Sequence, residues 1–229
     1  MRIPLLIHAA RLLARRPGFY GDYSSFEAAG GSYETSEIAN AQTRSSGPFT
    51  ESRVLQVMAA LGACGAFKSI LDVGGAHGKY FHAIKRHLPV QWTILETAEM
   101  VQACSSETEI RYVCDATQLD AGYDVVLLSG VLQYLPDPYA QLKRFAGLGK
   151  HLIINRLALA GRDRITRQTV TTPYHAAYPA WFLAEARFLE AVRALGTIAM
   201  RWQVAEDAPY LDGRRVTYQG MLVHVGTPV

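Results

Sequence analysis

The stretch Leu71-Asp72-Val73-Gly74-Gly75-Ala76-His77-Gly78 decides how this chain folds. Together with Ser69 and Ile70 it forms a short apolar run ending in glycines, as a strand buried on both faces does where it leaves a parallel sheet. The turn has to lead into a helix, predicted over 79–87. Glycine supplies both the unusual dihedrals and the close backbone approach that a ligand-binding turn of this kind needs. Gly74, Gly75 and Gly78 give that freedom. The spacing does not match the dinucleotide fingerprint G-x-G-x-x-G, because the later glycines would fall at 76 and 79, which are Ala76 and Lys79.

Downstream, strands and helices alternate. QWTILE (91–96), IRYVCDA (110–116), YDVVLLSG (123–130) and HLIINRLAL (151–159) read as strands. Helices are predicted over 98–105 and 138–147, the latter with Pro138 in its first turn. This alternation requires an α/β, Rossmann-like, doubly wound sheet. The run PAWFLAEARFLEAVRALG (179–196) reads as a helix closed by Gly196. The runs 197–204 and 216–225 then predict an antiparallel C-terminal hairpin, completing a mostly parallel seven-stranded sheet. Upstream, Val54, Leu55, Val57, Met58 and Leu61 recur at helical spacing, with Thr50 as N-cap. Residues 18–50 are rich in Gly, Ser, Tyr and Thr without sustained periodicity and read as a wrapping or lid segment. The expected organisation is an N-terminal helix and lid-like extension over 1–50 and a cofactor-binding domain over 51–229.

Composition bounds the function classes. A chain of 229 residues, 49% hydrophobic and 19% charged, has enough apolar material for one large core and too little charge for disorder. The net charge of +3 is spread without a basic run, which argues against nucleic acid as a partner. Cys64, Cys104 and Cys114 show no CxxC spacing, so neither a disulfide framework nor a metal site is expected, and a reducing cytoplasm fits best. The opening MRIPLLIHAARLLARRPG is interrupted by His8 and Arg11 and lacks a cleavage signature, so it reads as a helix that stays. No apolar run is long enough to span a membrane. Arg11, Arg15 and Arg16 leave open a helix resting on a membrane surface, beside the alternatives of packing on its own domain or on a partner subunit. Monomer and homodimer both remain open.

The glycine turn resembles the D-x-G-x-G-x-G loop of class I S-adenosylmethionine-dependent methyltransferases, with Asp72, Gly74 and Gly78 in place and Ala76 at the central glycine position. The resemblance implies S-adenosyl-L-methionine as cofactor and S-adenosyl-L-homocysteine as product. In such a loop Asp72 serves the cofactor's ammonium, while Gly75, His77 and the backbone lie at its amino-acid end. Glu96 ends the second strand eighteen residues past Gly78, near the roughly 20 expected of a ribose-binding acid, and Thr97 follows it. The resemblance puts Asp115 and Ala116 near the adenine. Ser129 and Gly130 close the fourth strand beneath the same crevice. Each residue alone also reads as a turn former or cap. Four strand ends converging on one sheet edge carry the reading.

Further stretches resemble a family of bacterial methyltransferases of unassigned substrate: 19–26 (FYGDYSSF), 71–75, Ser129-Gly130-Val131-Leu132-Gln133-Tyr134-Leu135, 163–168 (DRITRQ) and Tyr178-Pro179-Ala180-Trp181. This resemblance implies a small-molecule acceptor, a glycan precursor or secondary metabolite, methylated on oxygen or nitrogen. His175 is the candidate general base, with Tyr174 and Gln133 beside it. His77 is a second candidate base. Tyr33, Tyr134, Arg156, Gln168, Tyr178 and Trp181 are candidate acceptor contacts. Arg156 is suited to clamp a carboxylate or phosphate, or alternatively to pair with Asp163. A protein that holds the cofactor without turnover and acts through a partner is the competing reading.

Overall fold

The computed structural model describes residues 18–44, 51–171, 175–204 and 209–226. The expected helix over the first residues, the cap Thr50 and the candidate Tyr174 lie outside the described residues. In chain order, β1 (Gly18–Tyr23), α1 (Phe26–Ala29) and α2 (Ser36–Arg44) precede α3 (Glu51–Ala63). The alternating part runs β2 (Ser69–Val73), α4 (Lys79–Ile84), β3 (Gln91–Leu95), α5 (Ala98–Ala103) and β4 (Arg111–Val113), then β5 (Tyr123–Ser129), α6 (Pro138–Ala146) and β6 (Gly149–Ala160). After it come β7 (Arg164–Val170), β8 (Ala176–Ala184), α7 (Glu185–Arg193) and β9 (Gly196–Val204). The short strands β10 (Tyr210–Leu211) and β11 (Arg214–Arg215) lead to β12 (Tyr218–Val225).

Period-two burial builds the central sheet. Leu71, Val73, Val126, Leu128, Leu152 and Ile154 enter one apolar core with Leu142 and Phe145 of α6 and Phe188 and Val192 of α7. Their neighbours Ile70, Val125, Leu127 and Ile153 enter a second core with Val57 and Leu61 of α3 and Phe81 and Ile84 of α4. A sheet apolar on both faces has to be covered on both, which is why the helices divide between them. β2 lies between β3 and β5, with β4 outside β3 and β6 outside β5, all parallel. β12 runs antiparallel between β6 and β9, so the central order is β4-β3-β2-β5-β6-β12-β9. The change of direction along the chain at β2 opens a crevice at the carboxyl ends of β2 and β5.

The strand count and the 160–196 region differ from expectation. Twelve strands are present among the described residues, not seven. The end of β6 pairs with β8 at Leu159–Leu183 and Ala160–Ala184, β8 pairs antiparallel with β7, and β7 with β1. The stretch between β6 and the expected helix is thus largely a hairpin, and residues 18–23 are its third strand. The helix expected from 179 begins only at Glu185. Tyr178, Ala180 and Phe182 are buried at spacing two, Pro179 has no N–H for a helix, and the Thr166 hydroxyl donates to the Ala180 carbonyl at 2.8 Å. Gly196 opens β9 instead of closing the helix, because its backbone passes too near the His224 carbonyl to admit a Cβ.

Phe19 of β1 meets Phe182 edge to face at 5.1 Å in a small core shared with Ala158 and Tyr218. α2 lies over the carboxyl edge. Its Ile38 and Ala41 pack on Tyr178, and its Ala39 packs on Met100 and Cys104 of α5 and on Ala76. No helix among the described residues is long and apolar enough to cross a membrane.

Phe19 is 1% exposed and contributes a whole ring to this core. Phe19→Ala is expected to lower stability by about 3–5 kcal/mol in urea unfolding. A loss below about 1 kcal/mol would show that β1 is not integrated with the β7–β8 hairpin.

Candidate functional site

The turn after β2 is built on left-handed backbone at three alternate positions: Gly74 at φ 70°, Ala76 at φ 48° and Gly78 at φ 74°. A Cβ at Gly74 would lie 2.6 Å from Val131, and one at Gly78 2.4 Å from Ile110. Ala76 thus keeps the glycine-like conformation in a residue that has a Cβ, at a cost of about 1–2 kcal/mol. Glu96 holds it there. Its Oε1 accepts from the Ala76 N–H at 3.0 Å and its Oε2 from the Thr97 N–H at 2.9 Å. Glu96 is 8% exposed, and burial raises its pKa against the lowering effect of those two N–H donors. Thr97 caps α5, its hydroxyl accepting from the Met100 N–H.

Asp72 lies under the turn, 1% exposed, and a Cβ at Gly75 would come within 2.5 Å of its Oδ2. Burial, with the Glu96 charge adding to it, pushes Asp72 up to about 7 against the lowering effect of a hydrogen bond from the Trp92 indole. His77 is half-buried, and burial with the charges of Lys79 and His82 pushes it down to about 4, so its imidazole is neutral at pH 7. Its Nδ1 lacks a partner among the described residues.

Two cavities meet over this turn, sharing Tyr33, Gly74, Gly130 and Tyr134. One, of about 360 Å³, is lined by Leu95, Glu96, Thr97, Cys114, Ala116 and Phe145. The other, of about 420 Å³, holds Asp72, Gly75, His77, Ser129, Arg156, Gln168 and Tyr178, with Arg53 and Lys79. Its floor is a polar chain: Tyr80 and Ser129 hydroxyls at 3.0 Å, the Asn155 amide donating to both, and the Trp202 indole donating to Asn155 Oδ1 at 3.0 Å. One wall is aromatic. Tyr33 stacks on Tyr134 at 6.3 Å, and Tyr178 meets both edge to face. Gln168 lies opposite Tyr178 in the β7–β8 register, and its Oε1 is buried without a partner among the described residues.

Four candidates fall elsewhere. His175 is exposed and lines neither cavity. Gln133 is 1% exposed and lines neither cavity; its amide donates to the Arg156 carbonyl at 3.2 Å, a role in positioning the backbone. Trp181 packs on Phe26 and donates to the Pro136 carbonyl, outside both cavities. Asp115 is exposed and caps the turn at Ala116–Gln118 through the Thr117 N–H, while its neighbours Cys114 and Ala116 line the smaller cavity. Asp163 does not pair with Arg156. It is held by Arg187, Tyr139 and the Ala184 N–H. Sequence reasoning missed Arg53, Gln42, Lys79 and Tyr80. For Arg53 a signal existed, since it shares the helical stripe of the buried Val57 and Ala60 at spacings of four and seven.

No protein-family model and no curated protein matches the chain. Solved structures do. The N-terminal domain of EvdMO1, crystallised in the presence of S-adenosylhomocysteine and D-fucose, superposes with a TM-score of 0.54 at 16% identity, over 99% of this chain and 98% of that one. The Burkholderia thailandensis 1,6-didemethyltoxoflavin-N1-methyltransferase, with bound 1,6-didemethyltoxoflavin and S-adenosylhomocysteine, gives 0.55 at 20% identity over 77% and 78%. The CcbJ methyltransferase from Streptomyces caelestis gives 0.56 at 14% over 79% and 92%. At these identities the likeness is one of fold. The chain has the Rossmann-like α/β fold of these methyltransferases.

Two outcomes test the turn. Ala76→Gly exchanges left-handed strain for chain entropy and is expected to raise stability by up to about 1 kcal/mol. Gly75→Ala drives a methyl into Asp72 and is expected to lower it by about 1–3 kcal/mol. Urea unfolding measures both, and the reverse order would contradict the geometry. Asp72 adds a pH dependence. Its folded pKa of about 7 lies above the usual carboxylate value, so its contribution to stability declines as pH rises from about 4 through 7 and then levels off. Asp72→Asn is expected to remove that decline, leaving the variant's pH–stability curve flatter than the wild type's over this window.

Proposed function

We propose that this protein is an S-adenosylmethionine-dependent methyltransferase acting on a small-molecule acceptor. The observation that carries the reading is the pair of cavities joined at Gly74 and Gly130 on the carboxyl edge of the sheet, one holding Glu96 and the other Asp72. The donor set fits the cofactor. Glu96 sits where two ribose hydroxyls need an acceptor, and Leu95, Val131, Leu135 and Phe145 give the apolar slot an adenine needs. At the other end, the Asp72 carboxyl lining the larger cavity supports an assignment to an ammonium, and the crowding at Gly74 and Gly78 is that of a turn that brings backbone against a ligand. Bound there, S-adenosylmethionine supplies a methyl group made electrophilic by the sulfonium, whose displacement leaves a neutral thioether.

The residues of the chain do the rest. Tyr33 and Tyr134 line both cavities, so they bound the passage where acceptor and cofactor meet and hold the acceptor in line. α2 lies across this edge and, with Tyr33 and Gln42, excludes water. Gln42 donates to the Tyr33 hydroxyl at 2.6 Å, which fixes the ring. His77 lines the larger cavity with its imidazole neutral and can accept a hydrogen bond from an alcohol or amine acceptor, but a group pushed down to about 4 is too weak a base to hold the proton, which passes to solvent. Among the described residues, Tyr33 and α2 then belong to the acceptor and cofactor enclosure.

Isothermal titration with S-adenosylhomocysteine tests the reading. Micromolar binding is expected for the wild type, with a loss of at least about tenfold in Glu96→Ala and no change in His175→Ala. A folded wild type that does not bind would overturn the assignment.

A further inference from the structure

Arg156 stands in an unusual place. The register between β6 and β12 slips by one residue between Ile154–Met221 and Leu157–Gln219, so β6 carries a bulge at Asn155 and Arg156 opposite Gly220. Bulges turn a side chain out of the pleat, and here the turned side chain enters the larger cavity. Arg156 adopts φ 54°, left-handed backbone that an arginine rarely takes. The surroundings hold it there: the Gly130 N–H donates to the Asn155 carbonyl at 2.8 Å, and Gln133 donates to the Arg156 carbonyl. Gly130 also keeps the path open, since a Cβ there would lie 3.2 Å from Arg156 Nη1. The guanidinium rests over the Tyr218 ring at 5.2 Å. Strain maintained by several independent contacts at a cavity wall points to a task for that side chain.

Arg53 and Lys79 line the same cavity, and both arginines act electrostatically on Tyr80 and Tyr218. Asp72 is the carboxylate among the described lining residues. A sulfonium brought to the junction adds positive charge to a cationic chamber of low polarisability. An anionic acceptor relieves that repulsion, and an ammonium acceptor is repelled.

We infer that the part of the larger cavity around Arg156 is an anion-selective acceptor subsite: Arg156, aimed by the β6 bulge, grips a carboxylate or phosphoryl group of the acceptor. The planar guanidinium supplies paired donors that match either oxyanion, with Arg53 adding charge. This inference rests on the methyltransferase reading.

The test is isothermal titration of the full chain saturated with S-adenosylhomocysteine, using inorganic phosphate, glucuronate and glucose as probes. At least one anion is expected to bind about tenfold or more tightly than glucose, weakening as ionic strength rises. Phosphate binding ahead of glucuronate assigns a phosphoryl acceptor, and the reverse order a carboxylate. Arg156→Gln should lose the anion while S-adenosylhomocysteine affinity holds, with Arg156→Lys intermediate. Glucose binding as well as the anions, or no probe binding although S-adenosylhomocysteine does, would overturn the inference and leave the methyltransferase reading standing. So would anion binding undiminished in Arg156→Gln, or loss of S-adenosylhomocysteine by that variant. Failure of S-adenosylhomocysteine to bind the wild type would remove both.

Discussion

The two hydrogen bonds that Glu96 accepts from the Ala76 and Thr97 N–H groups tie the turn after β2 to the end of β3, and the site is organised around that link. The turn needs left-handed backbone at 74, 76 and 78, and only two of those positions are glycine. At the third, a buried carboxylate supplies a charge-assisted hydrogen bond that offsets the conformational cost of alanine. The same bond fixes the Glu96 side chain at the smaller cavity. A single interaction therefore sets both the shape of the turn and the position of the acid, and the Ala76 departure from the glycine pattern leaves the loop conformation intact.

Around this centre the chain adds a second layer of β-structure. β6 is long enough to serve two sheets: its first part pairs with β5 and β12, and its last two residues pair with β8. The bulge at Arg156 interrupts the β12 pairing, which resumes at Leu157 and Ala158 before the β8 pairing begins. β7 and β8 then bring Gln168 and Tyr178 to the same cavity, and β1 pins the outer side of the hairpin through Phe19. α2 closes the edge by packing on Tyr178 at one side and on α5 and the Ala76 turn at the other.

What was legible in the sequence follows from the range of the interactions involved. Asp72, Glu96, Ser129 and Gly130 could be placed because each ends a short apolar strand and strand ends converge in a parallel sheet. The hairpin β7–β8 could not, because β7 carries only Ile165 and Val170 among Arg, Thr and Gln, and its outer edge is covered by β1, far away in sequence. The helical spacing of 185–193 starts directly after β8, so 179–184 was absorbed into it. Trp181 therefore lies on a strand and not on a helix, and it packs on Phe26 outside both cavities. Gln133 looked available because it follows β5, but the 3-10 turn Leu132–Tyr134 directs successive residues to different sides, burying Gln133 and leaving Tyr134 at the cavity.

The buried polar groups at this edge divide into two kinds, and the division separates scaffold from site. Tyr80, Ser129, Asn155 and Trp202 satisfy one another in a continuous chain, the condition under which a buried polar network rigidifies its surroundings. His77 Nδ1 and Gln168 Oε1 are buried atoms with no partner among the described residues, both in groups that line the larger cavity. An unsatisfied buried polar atom costs about 1–3 kcal/mol, so two of them around one volume are stable only on a scaffold strong enough to hold them. The satisfied chain beneath provides it, because Asn155 also anchors the bulge through its carbonyl and so ties the rigid floor to the strained arginine above.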